Sequence, residues 1–199
     1  KSVEDYIRSR IDLSTELARR EPVKAKKVDV GLVVGKFSPF HDGHEGLVRE
    51  ALNQAEKVIL VIYDHPELSN IPAEQMSDLI KDVMSNDRLE IKIAYDYPAT
   101  GDTPEARQAH VDYLKKLTGG VKVDKFFGNE WYSKHIAEGL GAELVQPDPK
   151  RKQVNIYARD IRRDLRMASA REFLHPAVRY RIDQPGTKMW PVSELDRLL

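Results

Sequence analysis

The sequence predicts an α/β fold built on a parallel five-stranded sheet that is doubly wound, with helices on both faces. Three observations predict it. Short apolar runs of strand length alternate with stretches whose apolar residues recur at helical spacing. The runs are continuous rather than alternating in polarity, as strands buried on both sides are. At 199 residues, 41% of them hydrophobic, the chain can bury one sizeable core and fits a single domain with appendages.

Residues 1–27 read as an N-terminal helical arm and linker. Val3, Tyr6, Ile7, Ile11, Leu13 and Leu17 fall at mostly helical spacing, Ser2 stands where an N-cap would, and Pro22 with Lys24, Lys26 and Lys27 follows as the linker. This arm is expected to pack on a surface or a neighbouring subunit. The organised domain spans residues 28–182. Residues 28–34 form the first strand, interrupted by Asp29 and Gly31 and ended by Gly35. Residues 43–55 carry Leu47, Val48, Ala51, Leu52 and Ala55 at helical intervals, and residues 58–63 are a second continuous apolar run. Residues 72–84 place Met76, Leu79, Ile80 and Val83 on one helical face behind Pro72, which suits a first turn. A third strand over 91–95 precedes a helix over 103–117, opened by Thr103 and Pro104. A fourth strand over 121–127, a helix over 130–140 closed by Gly141, and a short fifth strand over 142–145 complete the alternation. The tail, 183–199, is expected to dock as a short strand and helix or to mediate assembly. A homo-oligomer is left open.

Composition removes several function classes. Lys+Arg 32 balance Asp+Glu 32, which argues against a nucleic-acid coat or an anionic-membrane binder. With no cysteine there is no disulfide scaffold, thiolate metal site or Cys nucleophile. No apolar run approaches the roughly 18 residues of a membrane span, and no signal-peptide pattern opens the chain. The expectation is a cytoplasmic enzyme or binding domain.

Ligands on such a sheet sit beyond the carboxyl ends of the strands, where helix N-termini point. After the first strand the chain reads Gly35-Lys36-Phe37-Ser38-Pro39-Phe40-His41-Asp42-Gly43-His44. Glycine permits close approach of backbone to ligand, Lys36 brings a cation, and His41 and His44 bracket Gly43 where a helix begins. Free N–H groups and the positive dipole end would favour phosphate there, and imidazoles so held can donate to a phosphoryl group gaining charge. The plain alternative is two capping or surface histidines. The coincidence of strand, helix, Gly35, Lys36 and Gly43 favours chemistry over that alternative.

GKFSPFHDGH resembles the HxGH signature of the nucleotidyltransferase superfamily, which shares a Rossmann-like fold with class I aminoacyl-tRNA synthetases. The GKF followed by Pro-Phe-His is most similar to NadR-type nicotinamide-mononucleotide adenylyltransferases. No KMSKS-like loop is present and the chain is too short for an anticodon domain, so the synthetases do not fit. The resemblance covers roughly residues 28–180. It implies adenylyl transfer from ATP to nicotinamide mononucleotide, giving NAD and pyrophosphate, with Mg²⁺ entering with ATP and no dedicated protein metal site. It implies roles for His44 at the α-phosphoryl group, His41 at the triphosphate and Lys36 at the departing pyrophosphate, with Gly35, Phe37 and Gly43 lining the ATP site.

Between Lys150 and Arg171 eight basic residues face two acids, Asp160 and Asp164. Such a segment can close over phosphates or be a solvated helix face, and charge alone does not choose. The stretch 156–162 resembles the family's ISxTxIR motif, which implies that Arg162 holds ATP phosphates beside Arg159 and Ile161. Tyr157, Ala158 and Arg159 stand where the family usually has Ser, Gly and Thr, so two helix-capping hydroxyls are replaced by a phenol and a guanidinium. The segment 171–179 also resembles the NadR-type region following this motif.

On the acceptor side, Asn129, Glu130, Trp131 and Tyr132 follow the fourth strand, and Asp64 with His65 follows the second. An aromatic at a strand's carboxyl end can stack on a flat heterocycle, or simply pack on the sheet edge. The resemblance implies that Trp131 stacks the nicotinamide. Three other readings stay open: a sibling enzyme joining ATP or CTP to another phosphate acceptor, a nucleotide-binding regulator without turnover, and nucleic-acid binding through the basic stretch. A ribosylnicotinamide kinase activity is not expected, because residues 183–199 hold no phosphate loop.

Overall fold

A computed structural model describes residues 27–65, 71–98, 101–150, 152, 158, 161 and 171–183. The expectations for the arm, for the tail beyond Asp183, and for Tyr157, Arg159 and Arg162 lie outside these residues. Five parallel strands form one sheet: β1 (Val28–Gly35), β2 (Ala55–Tyr63), β3 (Leu89–Ala94), β4 (Lys125–Phe127) and β5 (Glu143–Val145), in the order β3-β2-β1-β4-β5. The described helices are α1 (Asp42–Gln54), α2 (Ala73–Met84), α3 (Pro104–Leu117), α4 (Ser133–Leu140) and α5 (Pro176–Ile182).

The alternation of side chains along each strand divides the core into two layers. Val33, Leu60, Ile62 and Phe127 point to the face covered by α1, α2 and α5, where they meet Val48, Met76 and Val178. Leu32, Val34, Ile59, Val61 and Phe126 point to the other face, against Leu114 of α3 and Ile136 of α4. Both faces being dry explains why the strands read as unbroken apolar runs. The direction of strand progression reverses beside β1, which lies between β2 and β4, so the carboxyl ends of β1 and β4 border the crevice where such sheets take ligands.

Three boundaries differ most from the sequence expectation. Ala55 already pairs with Val28, so α1 passes into β2 without a loop. Two carbonyls at that junction are met by Arg88, whose Nη1 donates to Leu52 O at 2.9 Å and Ala55 O at 3.0 Å. A helix with no basic residue in its last turn thus borrows one from the strand-connecting turn. The fourth strand is shorter than expected because the Asp124 carboxylate takes the place of a backbone acceptor: its Oδ2 accepts from Val30 N at 3.1 Å. The preceding Val121 is exposed. The fourth helix begins at Ser133 rather than residue 130, because residues 130–132 form a turn.

Other local signals are met. Thr103 Oγ1 accepts from Ala106 N at 3.2 Å, with Pro104 in the first turn of α3. Gly141 closes α4 in the left-handed region at φ 68°. The helix α5, not anticipated as such, is opened by His175, whose Nδ1 accepts from Ala177 N at 3.2 Å ahead of Pro176.

Candidate functional site

The loop leaving β1 is shaped by two aromatic rings that turn inward. A Cβ at Gly35 would lie 3.1 Å from the Phe37 ring, so a larger residue there would push that ring from its place across the strand end by a few tenths of an ångström. Phe37 itself adopts φ 50°, a conformation rare for a bulky residue and held here by burial of its ring. Phe40 is fully buried beside it. Together they form the floor on which the two histidines stand: the Phe37 ring meets His44 edge-on at 5.1 Å, and Phe40 lies 6.0 Å from it.

His41 and His44 are brought into direct contact, their rings stacked at 3.7 Å between centroids. His41 is the N-cap of α1 and its Nδ1 accepts from Gly43 N at 3.1 Å. Accepting at Nδ1 requires the ring proton to sit on Nε2, so the far edge of the imidazole is a donor. Capping and chemistry, alternatives in the sequence, are therefore compatible roles of one ring.

One expectation is corrected. The first turn of α1 has no spare backbone donors to cradle phosphate: Asp42 N donates to Phe173 O, Gly43 N to His41 Nδ1, and both His44 N and Glu45 N to His41 O. The helix dipole still favours an anion there, but side chains must supply the hydrogen bonds. Lys36 is half-buried at the start of the loop.

The chain's C-terminal segment meets this loop. Besides the bond from Asp42 to Phe173 (2.9 Å), Ile161 and Leu174 share one buried cluster with Phe37 and Phe40. Arg179 braces the turn, its Nε donating to Leu174 O at 2.8 Å and its Nη2 to Glu172 O at 3.3 Å. Ile161 is fully buried, so only its main chain could meet a nucleotide. The same holds for the ring of Phe37.

On the β4 side, a Cβ at Gly128 would fall 2.5 Å from Ser133 Oγ, so the turn into α4 closes only around glycine. Asn129 Oδ1 accepts from Asp148 N at 3.1 Å and ties this turn to the segment after β5. Trp131 is 66% exposed, edge-on to the partly buried Tyr132 at 5.8 Å, and Glu130 is half-buried. Asp64 is half-buried, with its N–H donating to Ala94 O at 2.9 Å.

Sequence reasoning missed a run of rings joining these two strand ends. Tyr63 hydroxyl and His110 Nε2, both buried, share a hydrogen bond at 2.5 Å. Tyr97 packs on Tyr63 at 4.5 Å, His135 lies 6.4 Å from His110, and Trp131 lies 6.1 Å from His135. Burial, then the neighbouring His135, pushes the His110 pKa down to about 4, and burial lifts the Tyr63 phenol well above its ordinary range. Burial and then Arg107 lower the His135 pKa. The signal was legible: His110 stands one turn before Leu114, on the apolar face of α3.

Among the described residues, no group of three or more His, Asp or Glu side chains is arranged to hold a metal ion. Nor is any described helix long and apolar enough to cross a membrane.

No protein-family profile matches the chain, and no curated protein sequence matches it significantly. Solved structures do match in fold. The bifunctional NMN adenylyltransferase/ADP ribose pyrophosphatase from Francisella tularensis superposes with TM-score 0.60 at 18% identity, and its complex with AMP and Mn ion with TM-score 0.55 at 16% identity. Each match covers 86% of this chain and 54% of that one. The NadR protein in complex with NAD and AMP-PNP gives TM-score 0.52 at 16% identity, covering 70% of this chain and 44% of that one. The chain thus spans about half the length of these three structures, and what it shares with them is an α/β, Rossmann-like fold.

Proposed function

We propose that the chain transfers the adenylyl group of ATP to the phosphate of nicotinamide mononucleotide, releasing pyrophosphate and forming NAD. The observation that carries this reading is the packing of the HxGH loop against the C-terminal segment: Asp42 N bonds Phe173 O, and Ile161, the residue before Arg162, is buried with Phe37 and Phe40. The Asp42–Phe173 bond brings a segment from late in the chain to the HxGH loop, which supports a triphosphate site drawing on both. The shared fold with adenylyltransferases at 16–18% identity is consistent with it.

In this mechanism an acceptor phosphate oxygen attacks the α-phosphorus in line with the departing pyrophosphate. Such chemistry asks the protein for positioning and charge stabilisation rather than covalent help. His44 donates to the α-phosphoryl oxygens as they gain charge, and the Nε2–H of His41 donates to the triphosphate. Lys36 and Arg162 neutralise the pyrophosphate, with Arg159 adjacent. Mg²⁺ arrives as part of the MgATP substrate, coordinated mainly by phosphates and water. Trp131 stacks the acceptor's ring, while Glu130, Tyr132 and Asp64 border it. The Asn129 carbonyl is already engaged by Asp148, so its amide nitrogen is the group offered to acceptor.

The test is a matrix of ATP and CTP against nicotinamide mononucleotide, nicotinate mononucleotide, phosphopantetheine and a phospho-alcohol. Pyrophosphate release and NAD formation with ATP and nicotinamide mononucleotide are expected. Release only with a different pair would transfer the reading to a sibling nucleotidyltransferase, and ATP binding without release from any pair would replace it with a nucleotide-binding regulator.

A further inference from the structure

The run of rings beneath Trp131 has a consequence for which acceptor the site takes. Trp131 is open to solvent, but the next ring inward is an imidazole, His135, with centroids 6.1 Å apart, and behind that is a second imidazole, His110, at 6.4 Å. An aromatic ligand stacked on Trp131 would lie within about 10 Å of His135, close enough for its charge to be felt. A pyridine ring joined to ribose through nitrogen is a cation. The amide form keeps that charge, whereas the acid form adds a carboxylate and is neutral overall at the ring.

We propose that His135 is the residue that sets the acceptor's ring charge: uncharged it admits the cationic nicotinamide ring, and protonated it disfavours that ring relative to the carboxylate-bearing nicotinate ring. The inference rests on the acceptor assignment made above and deepens it.

The surroundings of His135 fit this role. From α3 it faces His110 and Arg107, from the turn before α3 Asp102, and from its own helix Glu138. Burial and the Arg107 guanidinium lower its proton affinity, while the two carboxylates raise it, and the net effect is downward. The shift favours the neutral imidazole, which takes its proton over an interval moved to lower pH than that of a free histidine. His110, with its pKa near 4 and its hydrogen bond to Tyr63, stays neutral through that interval and acts as a spacer.

Equilibrium binding of nicotinamide mononucleotide and nicotinate mononucleotide, measured by calorimetry at about pH 8 and about pH 5.5, tests the proposal. Both ligands carry the same phosphate, so its own titration cancels in the ratio of their dissociation constants. The ratio, amide over acid, is expected to rise about fivefold at the lower pH, the scale of one charge felt at this distance in a partly solvated site. In His135→Gln the ratio should be flat, and in His135→Lys it should be high at both pH values. The glutamine variant also separates His135 from His65, the remaining imidazole of the cluster, which lies against Tyr97 at 6.1 Å. A ratio that does not change in the unsubstituted protein, or that changes equally in His135→Gln, overturns the proposal while leaving the acceptor assignment standing. Binding of ATP with no binding of either mononucleotide overturns both.

Discussion

The backbone N–H of Asp42 donates to the carbonyl of Phe173 at 2.9 Å, joining the first turn of α1 to a turn near the far end of the chain. That bond uses a donor that a phosphate would otherwise take, and in exchange it seats the C-terminal segment beside His41 and His44. On the proposed function, side chains from both ends of the domain would do there what backbone amides do in other phosphate sites.

His44 is expected to be the larger contributor to rate. Replacing it with alanine removes one preorganised donor, which lowers turnover by about 10²–10³-fold. Steady-state kinetics with unchanged thermal melting is the check, and near-normal turnover would take His44 out of the mechanism.

The proposed function gives His41 a second role beside its cap, and the two are separable. His41→Ala loses the cap on Gly43 N and is expected to cost about 1 kcal/mol of stability as well as activity. His41→Asn can keep the cap, because an amide oxygen accepts as Nδ1 does, but it lacks the Nε2–H donor. Its melting temperature should stay near that of the unsubstituted protein while turnover falls; equal losses in both would mean that the ring only caps.

Arg88 provides the opposite contrast. It satisfies two carbonyls at the α1–β2 junction and touches nothing in the site. Arg88→Ala should destabilise by about 2–3 kcal/mol in urea denaturation, the scale for losing hydrogen bonds to a charged group, with kcat unaffected.

Acid should weaken the fold in a defined window. His110 has a folded pKa of about 4, below the unfolded value of 6.5, so between these the unfolded chain binds more protons and stability falls as pH drops. Its contribution is fully present above about pH 6.5. Asp124 acts at lower pH: its bonds from Val30 N and Lys122 depress its pKa, so its contribution is lost as pH falls through that depressed value. Melting temperature against pH should slope downward below 6.5 in the unsubstituted protein and less steeply in His110→Phe, which cannot take up a proton.

Much of this fold could be read in the residues because its strands are buried on both faces and its helices have one dry face. Val58, Leu60 and Ile62 point one way and Ile59 and Val61 the other, so β2 is apolar from Val58 onward. The start of β4 was not legible because a side chain, Asp124, replaces a ladder acceptor there, and hydropathy carries no trace of that exchange. Within the site, the pairing of His41 with His44 followed from their spacing across Gly43. The stacking at 3.7 Å did not, since it depends on the inward turn of Phe37 and Phe40. His110 was passed over although it shares the apolar face of α3 with Leu114, because nothing in the sequence pairs it with Tyr63, its hydrogen-bond partner in the fold.

The central claim is that imidazoles from the first loop and a guanidinium from the C-terminal segment meet on one triphosphate. A crystal structure with MgATP replaced by a non-hydrolysable analogue measures this most directly. Phosphate oxygens within hydrogen-bond distance of His41, His44 and Arg162 together are the predicted result. A triphosphate bound elsewhere, or one that touches the histidines while Arg162 faces away, would contradict the account.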